Sequence, residues 1–117
     1  MTIQELANKY YFHDSGINHI AYDKAKERLT FSIDLCYWAQ KWYTEGDPEL
    51  MEIRLILDGI KEYSGLVGDI DCFTILDAVV DNDKFRMNIL DDIHDKYYEY
   101  LFSPSDVAVK IIRMFED

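Results

Sequence analysis

The chain has 117 residues, a length that holds one domain with a real core and is too short for two. Its 49% hydrophobic and 15% aromatic content excludes a disordered tail and leans toward β-structure, where flat rings pack on a pleated face. A net charge of -11, from 23 acidic and 12 basic side chains, repels phosphate backbones and anionic lipid, so no nucleic acid and no membrane surface is expected as a partner. A protein partner of this field would be basic.

In chain order, Thr2-Ile3-Gln4-Glu5 matches the capping box, and Ile3, Leu6, Ala7 and Tyr10 recur at helical spacing. A helix from Ile3 to about Tyr11 is predicted, stopped by the turn residues His13-Asp14-Ser15-Gly16. Ile17 to Asp23 and Leu29 to Cys36 read as a hairpin across Lys24-Ala25-Lys26-Glu27, with Leu29, Phe31, Ile33 and Leu35 on one face of the second strand. The aromatic run Tyr37 to Tyr43 ends in the loop Thr44-Glu45-Gly46-Asp47-Pro48. Met51 to Leu57 alternates, which favours a strand over a helix capped at Asp47 and Pro48; Asp58-Gly59 then reads as a hairpin turn into a further strand, Ile60 to Tyr63.

The same pattern returns over Cys72 to Asp81 and Lys84 to Leu90, joined at Asp81-Asn82-Asp83. Tyr98, Tyr100 and Phe102 lead into Ser103-Pro104-Ser105-Asp106, a turn with Pro at its favoured second position. Val107, Val109 and Ile111 alternate, favouring a last strand over a helix capped by Ser103. The predicted fold is α+β and mainly antiparallel β. It consists of an N-terminal helix and a meander of roughly seven or eight strands, packed as a twisted sheet or small sandwich in one domain, 1–117.

No apolar run approaches the roughly 20 residues that cross a bilayer, and Met1 to Tyr11 lacks the pattern of a signal peptide. Cys36 and Cys72 lie in apolar segments without close spacing, so buried, reduced thiols and a cytoplasmic location are expected.

His13-Asp14-Ser15 holds triad residue types, but a working triad converges from separate elements, and these three read as a helix-ending turn. Asp91-Asp92-Ile93-His94-Asp95 is the densest set of potential metal ligands; without the spacing of a known ion loop it reads as a solvated acidic loop, as do Asp69, Asp71, Asp77, Asp81 and Asp83. His19 and His94 have no Cys or His partner in sequence. No catalytic residue, metal site or cofactor is therefore assigned. The interaction candidates are Trp38, Trp42 and Tyr43 with Glu45 and Asp47, amphipathic anchors beside carboxylates that suit a basic partner. Their rival role is to plug the core or one end of the sheet.

Phe12-His13-Asp14-Ser15-Gly16-Ile17, Ile20-Ala21-Tyr22-Asp23, Leu35-Cys36-Tyr37-Trp38 and Ile53-Arg54-Leu55-Ile56-Leu57-Asp58-Gly59-Ile60 together resemble small β-rich bacterial proteins. Some of these are grouped with the immunity proteins of contact-dependent or polymorphic toxin systems. The resemblance covers the first half of the chain and implies a cytoplasmic inhibitor that binds one toxin; it carries over no functional residue. The leading expectation is a non-catalytic protein-binding domain. The alternatives are a small metal-assisted or acid–base enzyme using His13, Asp14 or Asp91 to Asp95, and a self-associating domain that forms a homodimer through a strand edge or the aromatic patch.

Overall fold

In the computed structural model, which describes residues 1–115, the first helix, α1, runs Ile3–Lys9. The Glu5 N–H donates to Thr2 Oγ1 at 3.1 Å and the Thr2 N–H donates to Glu5 Oε1 at 3.2 Å, the reciprocal capping that the sequence implies. The helix ends before the expected Tyr11. Tyr10 is already extended, its N–H still reaching the Leu6 carbonyl, and Tyr10 and Phe12 are buried.

Seven strands follow: β1 Gly16–Asp23, β2 Arg28–Cys36, β3 Leu50–Asp58, β4 Gly68–Asp81, β5 Lys84–Asp91, β6 Lys96–Phe102 and β7 Asp106–Phe115. They form one antiparallel sheet in the order β6-β5-β4-β1-β2-β3-β7. β2 and β3 pair without a break from Arg28↔Asp58 to Cys36↔Leu50, so their alternations coincide. Leu29 faces Leu57, Phe31 faces Leu55, Ile33 faces Ile53 and Leu35 faces Met51, all buried on one face. Each such side chain stabilises the fold by about 1.5–3 kcal/mol relative to exposure. β4 and β5 turn at Asn82 and Asp83, both left-handed (φ 50 and 63), the conformation a two-residue hairpin needs and Asn and Asp tolerate.

β6 and β7 are the two edges of this sheet, yet only residues 103–105 join them. Four Cα steps span at most about 14 Å. Seven strands laid flat would hold their edges about 29 Å apart. The sheet must therefore curl. Breaks in register supply the bend, at Ile17/His19 in β1, at Ile75/Asp77 in β4 and where β7 passes Glu52/Ile53 of β3. Phe31 of β2 and Phe102 of β6, with three strands between them in the sheet, meet across the interior with ring centroids 6.1 Å apart. α1 packs on both β4 and β7, and the Met1 ammonium donates to Asp106 Oδ1 at 2.9 Å and to the Val107 carbonyl at 2.8 Å, fixing the start of β7.

The expected strand from Ile60 to Tyr63 is a loop. β7 pairs along β3 from Asp58↔Asp106 to Leu50↔Phe115, so the edge that a hairpin at Asp58-Gly59 would use is taken. Residues 59–67 instead lead from β3 to β4, which lies on the far side of β1, and the strands form two meanders, β1-β2-β3 and β4-β5-β6, rather than one. β4 begins at Gly68, four residues before the expected Cys72. Gly68 and Asp69 pair with Ile20 and His19 ahead of an irregular stretch that breaks the alternation. Cys72 lies in that stretch at φ 58 and is exposed rather than buried; Cys36 is buried, and both thiols are free. Met51 to Leu57 and Val107 to Ile111 are strand, as their alternation favoured. Among the described residues no helix is long and apolar enough to cross a membrane.

Gly59 sits where the end of β3 touches the β6–β7 link. Its φ is +83, and a Cβ there would stand 2.9 Å from both the backbone nitrogen and Cβ of Ser105. Gly59→Ala is expected to lower the unfolding free energy by at least about 1 kcal/mol in a urea titration. An unchanged midpoint would mean that this contact does not constrain the fold.

Candidate functional site

β2 ends at Cys36, and the chain makes one 3-10 turn, Tyr37–Ala39, before a loop that returns at β3. The two ends of this excursion are tied, since the N–H groups of Tyr37 and Trp38 both donate to the Glu49 carbonyl at 2.8 and 3.3 Å. Gln40 anchors it to the body of the protein. Its Oε1 accepts from the Tyr11 N–H at 2.9 Å, while Nε2 donates to the Tyr11 carbonyl at 2.6 Å and the Cys36 carbonyl at 2.9 Å. At 4% exposure this amide spends its hydrogen bonds on the backbone of Tyr11 and Cys36, and the loop is held at a fixed place.

The five interaction candidates separate on this frame. Trp42 meets Tyr10 edge-on (5.5 Å, 89°) and Tyr37 (6.1 Å), and Tyr43 packs on Tyr37 at 5.9 Å. Asp47 closes a turn, its carboxylate accepting from the Thr44 N–H at 3.1 Å. Trp38 is 53% exposed, Trp42 keeps 38% of its surface exposed despite its ring contacts, and Glu45 is exposed on the same loop. Tyr43 and Asp47 shape the loop, Trp42 both packs on it and shows part of its ring to solvent, and Trp38 and Glu45 are the side chains it presents most openly.

A second feature was not legible in the sequence. Tyr63 lies in the 59–67 loop, its ring 5.7 Å from Tyr22, 5.7 Å from Tyr100 and 6.2 Å from Phe102. Its hydroxyl donates to the Leu66 carbonyl at 2.6 Å, and the Leu66 N–H donates to the Tyr100 hydroxyl at 3.0 Å. Burial first, and the Tyr100 hydroxyl second, hold the Tyr63 phenol far above its ordinary range. Between this loop and β6 lies a cleft of about 570 Å³ with Tyr63, Tyr98 and Tyr100 on its walls and Glu62 and Glu99 among its lining residues. Tyr98, Tyr100 and Phe102 alternate in the sequence and announce a strand face; only the curl of the sheet brings Tyr63 against them.

No family model, curated protein or solved structure matches this chain.

The remaining candidates resolve into structural roles. Ser15 is fully buried, and its Oγ accepts from the Cys36 N–H at 3.0 Å rather than facing an imidazole. His13 Nδ1 lies on the Leu76 carbonyl and Nε2 is 3.4 Å from Asp14 Oδ1, so His13 and Asp14 adjoin each other while Ser15 is turned away to Cys36. His19 Nδ1 lies 2.7 Å from Asp69 Oδ1 on the exposed surface. Among the described residues no three His, Cys, Asp or Glu side chains converge as metal ligands.

In the Asp91 to Asp95 turn, Asp91 is 5% exposed, a departure from the solvated loop expected there. Its Oδ1 accepts from the N–H groups of Ile93 and His94 at 3.0 and 3.1 Å, and its Oδ2 lies 2.8 Å from His94 Nδ1. Burial opposes its ionisation, but these hydrogen bonds outweigh burial and hold the carboxyl below its ordinary range. A depressed folded pKa contributes stability that is complete above the unfolded carboxyl range, about pH 4, and lost as pH falls through the folded value. Asp91→Asn is therefore expected to unfold at a lower temperature than the parent near neutrality, with the two midpoints converging under acid. A gap that persists unchanged below the carboxyl range would assign the effect to something other than this charge.

Proposed function

We propose that this protein is a non-catalytic protein-binding domain, of the immunity type, that inhibits a basic partner docked on the loop between β2 and β3. The observation that supports the reading most is Trp38, an exposed indole held on a loop whose own position is fixed by the buried Gln40 and by Trp42 packed on Tyr10. A large amphipathic side chain on a pre-ordered loop is the kind of anchor that interface hot spots favour, because little freedom is lost when it is covered. The -11 charge, with Glu45 and Glu49 exposed along the same loop, gives that anchor a field that attracts a basic surface from a distance.

The partner is to be recovered with tagged protein at low salt, and its binding kinetics measured over a salt series. Its association rate is expected to fall steeply as salt rises, with far less change in dissociation. Glu45→Lys should slow association. Trp38→Ala should weaken binding by about tenfold or more, the loss of a hot spot of roughly 1.4–2 kcal/mol or above, without moving the melting temperature. Trp42→Ala, which removes a ring that packs on Tyr10 and Tyr37, should lower the melting temperature as well. Recovery of no basic partner, or a Trp38→Ala variant that binds as well as the parent, would sink the reading.

A further inference from the structure

We infer that the cleft between the 59–67 loop and β6 is a second binding site, for a small free organic cation with an ammonium or guanidinium head on a short apolar stem. The inference does not rest on the loop between β2 and β3, which contributes nothing to this cleft. At about 570 Å³ the cleft has the size of an ordinary small-molecule site.

Its walls are aromatic and its charges are all of one sign. Tyr63, Tyr98 and Tyr100 line it with Phe102, and the acidic residues beside them are Glu62 and Glu99. No Lys or Arg is among its described lining residues. Aromatic faces attract cations through their quadrupole, and carboxylates nearby add a charge that a neutral or anionic guest cannot use. The chain itself supplies an example at this strand. Lys96 Nζ stands 5.9 Å from the centre of the Tyr98 ring.

The walls are also set before any guest arrives. The Tyr63 and Tyr100 hydroxyls are tied to the carbonyl and N–H of Leu66, so the rings keep their places without a ligand. Gly65 completes the wall, because a Cβ there would stand 2.6 Å from each of these hydroxyls. A pre-ordered aromatic wall in a cleft whose lining also includes Glu62 and Glu99 suits a guest with a positive head and an apolar stem.

Calorimetric titration of the full chain with butylguanidinium and with its uncharged isostere butylurea tests the site. Butylguanidinium is expected to bind saturably at one site, about tenfold or more tightly than butylurea. Glu62→Gln combined with Glu99→Gln, both exposed, should bring the two ligands to similar affinity while leaving the melting temperature in place. Gly65→Ala should weaken butylguanidinium with both carboxylates intact. Trp38→Ala should leave the titration unchanged, so this site and the protein-docking loop can fail separately. A blocked arginine peptide should bind no more tightly than butylguanidinium; much tighter binding would overturn the assignment to a free small molecule. Equal affinity for the two small ligands, no saturable binding, or undiminished binding by the double glutamine variant would overturn the site altogether.

Discussion

Three residues, Ser103 to Ser105, connect strands that lie at opposite edges of a seven-stranded sheet, and that short tether governs the shape of the whole molecule. It is too short to reach across a flat sheet, so the β4-β5-β6 half must fold over the β1-β2-β3 half. A curled sheet of this kind buries its inner face against the other half, most completely in β2, β3 and β5. It needs no second layer of helices, and the described residues have only α1 and one 3-10 turn to offer. The register breaks in β1, β4 and β7 are the local expression of that curvature. Charged or short features guard the edges that remain. Lys96 and Glu99 lie on β6, Lys110 and Arg113 on β7, and the Met1 ammonium takes the Val107 carbonyl.

Both functional surfaces follow from this curvature. Because β7 occupies the outer edge of β3, residues 59–67 cannot form a hairpin there and must travel to β4. On the way Ile60 is caught by the Glu27 carbonyl and the Tyr22 hydroxyl, which leaves Tyr63 facing the end of β6. The tyrosine cleft is the space between that crossing and the strand. The loop between β2 and β3 joins neighbouring strands, and its length of 13 residues, 37–49, is taken up by an aromatic cluster and by Gln40 rather than by pairing. The outcome is Trp38, the most exposed aromatic of the loop, held out by neighbours that pack on one another.

Much of the secondary structure was legible because alternation is strict wherever one face is buried and the other wet: β2, β3 and β5 follow the sequence pattern nearly residue for residue. What escaped is what depends on distant pairing. Ile60 to Tyr63 has strand composition after an Asp-Gly turn, and only the arrival of β7, nearly fifty residues later, denies it a partner. The start of β4 was hidden by a register break that spoils the period two over Asp69 to Cys72. In the candidate site, the types of the anchor residues were readable and their roles were not. Trp38 and Trp42 look alike four residues apart, and which one is the more covered is decided by Tyr10, a residue of the N-terminal segment that packs on Trp42. The tyrosine cleft had no local signal at all, since its walls come from segments more than thirty residues apart.

The curl is tested most directly by nuclear Overhauser contacts between the rings of Phe31 and Phe102 in the full-length protein with these two residues selectively labelled. In a flat sheet of the same order, four strand spacings would separate them by about 19 Å, far beyond detection. With the sheet folded over, cross-peaks between the two rings are expected, alongside the backbone contacts that define the β2–β3 and β5–β6 pairings. Backbone contacts present in both pairs, with no cross-peak between Phe31 and Phe102, would contradict the curled sheet and remove the physical basis of the tyrosine cleft.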